Sequence, residues 1–178
     1  MLMPAIELSE PVVRGPGSTR SRTVSWNDPA ALRAAGATLP GREFLQAILD
    51  GRLPPPPMAT LIGSELVSVG AGEAVFRCTP DESTYNPLGI VHGGLLCTLL
   101  DTAAGCAVQT LLPAGAGYAS IEVKVSFLKP LRANAGEIEV HGQALKLGRR
   151  VAFAQAHARD QSGELVGHAT TSLAINRP

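Results

Sequence analysis

The sequence predicts an α+β protein in which an antiparallel β-sheet wraps around one long central helix. Residues 93–112 form an apolar run that is too long for a buried strand, and Pro113 ends it, which favours a helix. Residues 117–176 contain several short apolar segments separated by turn residues, which is typical of strands. Helices and strands do not alternate along the chain, so a doubly wound parallel sheet is disfavoured.

The chain divides into a tail and one domain. Residues 1–40 are rich in Pro, Gly, Ser, Ala and Arg without a sustained period, which predicts a weakly ordered tail. Within it, Asp28 could cap a short helix that begins at Pro29. Residues 41–178 form the predicted domain, which opens with an amphipathic helix at 41–51. The apolar face of that helix holds Phe44, Leu45, Ile48 and Leu49.

The sheet is assembled from six predicted strands. After the proline-rich connector at 53–58, residues 59–80 contain two strands joined at 69–73. The central helix follows, and residues 117–131 then alternate in polarity, with Ile121, Val123, Val125 and Phe127 on one face. Residues 135–160 give two strands around a turn at 147–150, and residues 163–176 give the last strand.

Composition excludes several classes of function. The net charge is zero and the isoelectric point is about 6.9, so no broad basic surface for nucleic acid or anionic membrane is expected. No window reaches the ~18 apolar residues of a membrane span, and the N-terminus lacks a signal-like apolar run. Cys78, Cys97 and Cys106 lack a paired spacing, which argues against a disulfide framework and favours a cytoplasmic protein.

One motif places chemistry on the central helix. Residues 86–101 read NPLGIVHGGLLCTLLD, so two glycines stand where the helix begins and Asp101 lies two turns further on. Free N–H groups at a helix start can polarise a carbonyl, and glycine lets a substrate approach them closely. A carboxylate beside the same carbonyl could attack it or activate water. The motif therefore predicts a candidate site for chemistry at a carbonyl. Structural alternatives stay open: Asp101 as a solvated helix position, His92 as a core or cap residue, the two glycines as a tight entry turn, and Asn86-Pro87 as an ordinary turn.

The spacing within this motif predicts a dimer. Gly93 and Asp101 are eight residues apart, which is ~12 Å of rise along one helix. Both groups must come within ~3 Å of one carbonyl to act on it together. Two antiparallel copies of the helix satisfy this, since the start of one then faces the acid of the other. If the motif is catalytic, a two-fold dimer with shared sites is expected.

The combined pattern resembles hotdog-fold acyl-coenzyme A thioesterases of the phenylacetate-pathway, PaaI-like type. The resemblance spans about residues 43–175 and rests on Asn86, Pro87, Gly89, the His92-Gly93-Gly94 triplet and Asp101. The flanking segments at 51–63 and 118–131 are also similar to that family. The resemblance implies the hotdog fold and hydrolysis of acyl- or aryl-coenzyme A, with no cofactor and no metal.

The resemblance also implies a role for each residue of the motif. Asp101 would be the nucleophile or general base, and the Gly93 N–H would polarise the thioester carbonyl. Asn86 would orient the thioester or the attacking water, and Ser120 would support the acid or the water. His92 would be structural or polarising. Sites in this family are shared by two subunits, and the pairs commonly assemble into tetramers.

Substrate-binding residues are expected around the coenzyme A phosphates. Lys146, Arg149 and Arg150 lie at a predicted strand turn, Lys129 lies at a strand end, and Gly94 offers close approach to the backbone. Either cluster could equally be a solvated surface. His141, His157 and His168 lie on different predicted strands without ligand spacing, so a metal site is not expected.

The motif is compatible with other functions to different degrees. A serine esterase would need a G-x-S-x-G elbow, which the chain lacks, and Cys97 reads as a small core residue on the helix. A hotdog hydratase or dehydratase would pair His92 with Asp101 for proton abstraction. A non-catalytic acyl-coenzyme A binding module on the same fold stays open. The aromatic-poor core suits a medium acyl chain or an aryl ring equally.

Overall fold

The computed structural model describes residues 17–132 and 135–177, and the first 16 residues of the predicted tail lie outside this part. Its helices are α1 (Ala30–Thr38), α2 (Gly41–Leu49), α3 (Pro57–Ile62) and α4 (Gly93–Gln109). Its strands are β1 (Ser64–Gly70), β2 (Glu73–Cys78), β3 (Gly117–Phe127), β4 (Ile138–Leu147), β5 (Val151–Arg159) and β6 (Leu165–Asn176). A single 3₁₀ turn covers Glu82–Thr84.

The six strands form one antiparallel sheet in the order β1-β2-β4-β5-β6-β3, and the central helix α4 packs against one of its faces. Leu99 and Leu100 of α4 are completely buried against inward-facing residues of the strands, such as Val140 and Leu173. The predicted α+β class and the helix-on-sheet arrangement are confirmed. No helix in the described part of the chain is long and apolar enough to cross a membrane.

Small residues allow α4 to lie directly on the sheet. A Cβ atom added at Gly142 of β4 would lie 2.0 Å from the carbonyl oxygen of Ala103, and one added at Gly167 of β6 would lie 2.8 Å from the Leu96 side chain. Since atoms cannot approach so closely, glycine at both positions sets the helix-to-sheet spacing. This close packing accounts for a core rich in Ala and Leu and poor in aromatic rings.

The first predicted strand is shorter than expected. Its opening residues form α3 instead, because Pro57 fits the first turn of a helix and the preceding prolines supply an extended lead-in. Gly63 ends α3 in the left-handed conformation, with φ +67°, so that β1 begins at Ser64. The interpretation of residues 59–62 as strand was therefore wrong.

Strand β3 lies at one edge of the sheet and carries an irregularity. Its register with β6 shifts between Ser120 and Glu122, which interrupts the simple alternation. Val123 and Val125 pack against the core, whereas Ile121 is 58% exposed and Phe127 is 57% exposed. The predicted shared face thus contributes only two of its four residues to the core.

The described part of the N-terminal segment contacts the domain. Asp28 accepts a hydrogen bond from the Ala30 N–H at 2.8 Å, as a capping residue does, and Leu32 of α1 is buried. Arg20 pairs with Glu82 at 2.7 Å, and Arg22 pairs with Asp81 at 3.1 Å. These ion pairs join the segment to the loop that precedes the 86–101 motif.

Candidate active site

The start of α4 presents a free backbone donor. His92 caps the helix, because its Nδ1 accepts a hydrogen bond from the Gly94 N–H at 2.8 Å. The His92 carbonyl accepts from the Leu95 N–H at 3.0 Å. Within the described residues, the Gly93 N–H has no protein acceptor. Gly93 is therefore the donor that remains for a ligand, whereas Gly94 has its N–H occupied by the cap.

The Gly93 backbone lies at a small cavity. A cavity of about 290 Å³ is lined by residues of the Asn86 loop, the helix start and the end of β3, including Asn86, Gly93, Phe127 and Lys129. A Cβ atom at Gly93 would lie 3.0 Å from the Phe127 ring. Glycine here keeps the N–H open to the cavity while the ring packs over the helix start.

Asn86 shapes the loop that leads into the helix. Its Oδ1 accepts a hydrogen bond from the Leu88 N–H at 2.9 Å, and its own N–H donates to the Ile90 carbonyl at 2.8 Å. Gly89 completes this turn with φ +72°. The side-chain Nδ2 of Asn86 makes no hydrogen bond within the described residues, so it is available to a ligand in the cavity.

The acid of the motif is held by the edge strand. Ser120 of β3 donates a hydrogen bond from its Oγ to Oδ1 of Asp101 at 2.7 Å. Asp101 is half-buried on α4, so its carboxylate is held by a neighbour while part of it stays accessible. The structure thus brings together the acid and the serine that the resemblance paired.

Tyr118 and Cys106 adjoin Asp101, and the sequence reasoning missed both. Burial raises the pKa of the Cys106 thiol to about 12, and the nearby Asp101 charge acts in the same direction. Burial also raises the pKa of the Tyr118 hydroxyl well above its usual range, with Cys106 and Asp101 adding to it. Gly105 leaves room for the ring of Tyr118. Alternation on β3 places Tyr118 on the same face as Ser120, and this was the signal that could have identified Tyr118.

One subunit holds the predicted residues in two separate groups. Asn86, His92 and Gly93 lie at the start of α4, and Asp101 lies with Ser120 two turns further along. Both groups belong to one 17-residue helix, so their backbones are ~12 Å apart. A single carbonyl cannot contact the Gly93 N–H and the Asp101 carboxylate of the same subunit at ~3 Å.

The predicted phosphate-binding residues lie in two different settings. Lys129 forms ion pairs with Asp160, at 3.0 Å, and with Glu164, and these two carboxylates raise its pKa. Its charge is thus already balanced within the protein. Lys146, Arg149 and Arg150 are exposed around the β4–β5 turn, and the described residues provide no ion pair for them. That turn is the better candidate for an anion.

The three histidines of the sheet form one row on its outer face. Register pairs His141 of β4 with His157 of β5, and His157 with His168 of β6. The His141 and His157 rings stack with centroids 5.1 Å apart, and His141 contacts Glu139 at 2.6 Å. This alignment depends on strand register, so it could not be predicted from the spacing of the histidines along the chain. No group of three or more His, Cys, Asp or Glu side chains suited to a metal occurs in residues 17–132 and 135–177.

This row predicts a pH-dependent stability. Burial lowers the pKa of His157, and the adjacent His141, Arg159 and His168 act in the same direction. Just below pH ~6.5, the unfolded chain therefore binds more protons than the folded one, and the free energy of unfolding should fall as the pH falls. Urea unfolding at pH 5–8 should show this slope, and His157→Gln should reduce it. An unchanged slope in the variant would contradict the assignment.

Comparison with known sequences identifies a family segment. Residues 88–167 match the family model described as Thioesterase superfamily. A protein of Halobacterium salinarum, named only provisionally as an esterase, is 32% identical over 55% of this chain and 66% of its own length. Human acyl-coenzyme A thioesterase 13 is 29% identical over 57% of this chain and 71% of its own length. The chain thus spans about two thirds of the length of these relatives.

Comparison with solved structures agrees with the match to the thioesterase superfamily. A phenylacetic acid degradation-related protein of Ralstonia eutropha JMP134 is 28% identical, with a TM-score of 0.66 over 72% of this chain and 97% of that one. The PaaI protein of E. coli, at 21% identity, shares the fold with a TM-score of 0.65 over 77% of this chain and 95% of its own. The predicted hotdog fold and the resemblance to PaaI-like thioesterases are confirmed.

Proposed function

Because residues 88–167 identify this chain as a hotdog-fold protein of the thioesterase superfamily, we propose that it hydrolyses acyl- or aryl-coenzyme A thioesters. The observation that carries the proposal is the pairing of a free helix-start donor at Gly93 with an accessible carboxylate at Asp101 held by Ser120. Thioester hydrolysis needs a donor for the carbonyl oxygen and an acid that attacks or activates water. The products are the free acid and coenzyme A.

The two halves of the site belong to different subunits of a homodimer. Gly93 packs beside Phe127 at one end of β3, and Asp101 bonds to Ser120 towards the other end. A two-fold axis near the middle of β3 would therefore place Gly93 of one copy opposite Asp101 of the other. β3 is a long edge strand whose exposed apolar residues, such as Ile121, would be covered by such pairing. Pairs of dimers would give a tetramer.

Hydrolysis follows from these groups in a defined order. The Gly93 N–H of one subunit donates to the thioester oxygen and stabilises the negative charge that develops on it. Asp101 of the other subunit attacks the carbonyl carbon, or removes a proton from the water that does so. The C–S bond breaks, and coenzyme A leaves as a thiolate that takes up a proton. If Asp101 is the nucleophile, it is left as an acyl anhydride, which water then hydrolyses to the free acid and the regenerated carboxylate. If Asp101 is the general base, the proton that it takes from water passes to the thiolate. Ser120 holds the Asp101 carboxylate in the attacking geometry, and the Asn86 amide orients the thioester or the water.

Coenzyme A would enter past the basic residues of the β4–β5 turn. This turn carries Lys146, Arg149 and Arg150. It lies beyond the C-terminal end of α4, since Gly72 accepts a hydrogen bond from the Ala144 N–H of β4 and donates one to Oγ1 of Thr110, which directly follows α4. With Gly93 of one subunit opposite Asp101 of the other, the second helix continues for eight more residues, ~12 Å, past Gly93. The turn beyond its end would then lie further out in the same direction, and the pantetheine arm would lead from Gly93 towards it.

A thiol-release assay tests the proposed activity. The wild-type protein, given a panel of saturated and aryl-acyl coenzyme A substrates, should release free coenzyme A, followed with a thiol reagent. Conversion of enoyl-coenzyme A to a hydroxyacyl product would instead support a hydratase. Binding without release would support the non-catalytic module. The engagement of His92 Nδ1 in the helix cap favours hydrolysis over the hydratase, because that nitrogen is not free to act as a base.

Replacing Gly93 with Pro should remove the carbonyl donor without removing the helix. Gly93 is the first residue of α4, where proline is well tolerated, and His92 already has the extended backbone that proline requires before it. Loss of one such donor should lower kcat by on the order of 10²–10³-fold. The matched control is Gly93→Ala, which adds the same Cβ beside Phe127 and keeps the N–H. Equal losses in both variants would assign the effect to crowding and reject the donor.

A further inference from the structure

A second, larger cavity lies on the helical side of the domain. It encloses about 520 Å³ and is bounded by α2, the proline-rich connector, α3, β1 and β2. Its apolar walls include Leu45, Ile48, Met58, Leu66 and Phe76. A volume of this size lies within the range of small-molecule sites.

The cavity reaches the central helix at the turn that carries the acid. Thr102 and Cys106, which are one turn apart on α4, line it, and Thr102 directly follows Asp101. Cys106 lies between the cavity and the acid, because it lines the cavity and also contacts Tyr118 beside Asp101. An apolar group attached to a carbonyl at Asp101 could therefore extend past Thr102 and Cys106 into this cavity within the same subunit.

The lining indicates the chemistry of the occupant. Among the described residues that line the cavity, Glu65 is the one charged residue and Phe76 the one aromatic residue. The remaining apolar lining consists of aliphatic side chains and prolines. A negatively charged acyl group would be repelled by Glu65, and a ring would find little aromatic surface to stack on. Met58 lies at the rim with 47% of its surface exposed, and its flexible side chain can adapt to chains of different length.

On the basis of the proposed function, we infer that this cavity binds the acyl group of the substrate and selects an uncharged aliphatic chain of medium length. The inference rests on the cavity's aliphatic walls and on its contact with α4 at Thr102, the residue that follows Asp101, and at Cys106. Its outer walls, from Leu45 to Leu66, lie outside the family segment at 88–167. Selectivity for the acyl chain thus belongs to the N-terminal half of this protein, and Ile48 and Met58 determine its length limit.

Two tryptophan variants on α3 form a matched test. Met58 lines the cavity, whereas Leu61, less than one turn away on the same helix and 48% exposed, does not. Met58→Trp should fill the rim of the cavity, and Leu61→Trp should add the same ring outside it. Titration calorimetry with the non-hydrolysable thioethers S-methyl-, S-octyl- and S-benzyl-coenzyme A measures binding without turnover, so it does not depend on the protein being a hydrolase.

Wild-type protein should bind the S-octyl compound more tightly than the S-methyl and S-benzyl compounds, since each buried methylene contributes about fourfold. Met58→Trp should weaken S-octyl binding at least tenfold and leave S-methyl binding within twofold, and Leu61→Trp should match the wild type for all three. Equal S-octyl affinity in the wild type and Met58→Trp would overturn the cavity assignment. Tighter S-benzyl binding would overturn the aliphatic class. Absence of coenzyme A release in the thiol assay would instead reject the proposed hydrolysis. The calorimetry would still decide whether the cavity binds the acyl group.

Discussion

Asp101→Asn should lower kcat/KM for acyl-coenzyme A hydrolysis by on the order of 10²–10⁴-fold, the usual contribution of a general base. The amide keeps the size of the carboxylate and can still accept the hydrogen bond from Ser120 at its oxygen. It can neither attack a carbonyl as an anion nor take a proton from water. Binding of substrate should change far less than turnover, because the carboxylate acts mainly in the transition state.

Two controls separate this chemical effect from a loss of folding. Asp50→Asn changes an exposed carboxylate that bonds to Gln46 and Arg52 outside the site, and it should leave kcat/KM within about twofold of the wild type. Urea unfolding should give Asp101→Asn a free energy of unfolding close to that of the wild type. Full activity in Asp101→Asn would remove the carboxylate from the mechanism, whichever of its two chemical roles were correct.

The sequence predicted the central helix because its apolar run is too long for a strand, and it predicted most strands because turn residues separate their short apolar segments. The segment from Gly93 to Gln109 is 17 residues long and mostly apolar. A buried strand is much shorter than this, so the segment indicates a buried helix. The prediction of a strand at residues 59–62 was wrong, because β-branched and apolar residues there are also typical of strands. Pro57 and Gly63 start and stop a helix there, and a single short turn has too little periodicity to show it.

Contacts between distant segments were beyond the reach of the sequence. The bond from Ser120 to Asp101 could be anticipated only through the resemblance, since it depends on how β3 lies along α4. The stacking of His141 on His157 depends on strand register, which the sequence fixes only through the hairpin turn. The cavity behind α3 depends on how α2 packs on β1, and no local pattern encodes that docking.

A heterodimer that carries Asp101→Asn in one subunit and Gly93→Pro in the other should keep about half of the wild-type kcat per dimer, because a two-fold dimer has two equivalent shared sites. One site then combines the intact Asp101 of the Gly93→Pro chain with the intact Gly93 of the Asp101→Asn chain. The other site lacks both groups. Each homodimeric variant alone should be almost inactive. Co-expression with two different affinity tags and sequential purification isolates the mixed species for a thiol-release assay.

The reciprocal heterodimer gives the opposite result and makes the test decisive. When a wild-type chain is paired with a chain that carries both substitutions, every shared site loses either its acid or its donor, so activity should fall to the level of the single variants. If each subunit instead held a complete site, this second heterodimer would keep about half of the activity and the first would have none. The heterodimer that is active if the sites are shared is therefore inactive if each subunit holds a complete site, and the reverse holds for the other heterodimer. The ~12 Å between Gly93 and Asp101 along α4 requires the first outcome if both groups act on one thioester carbonyl.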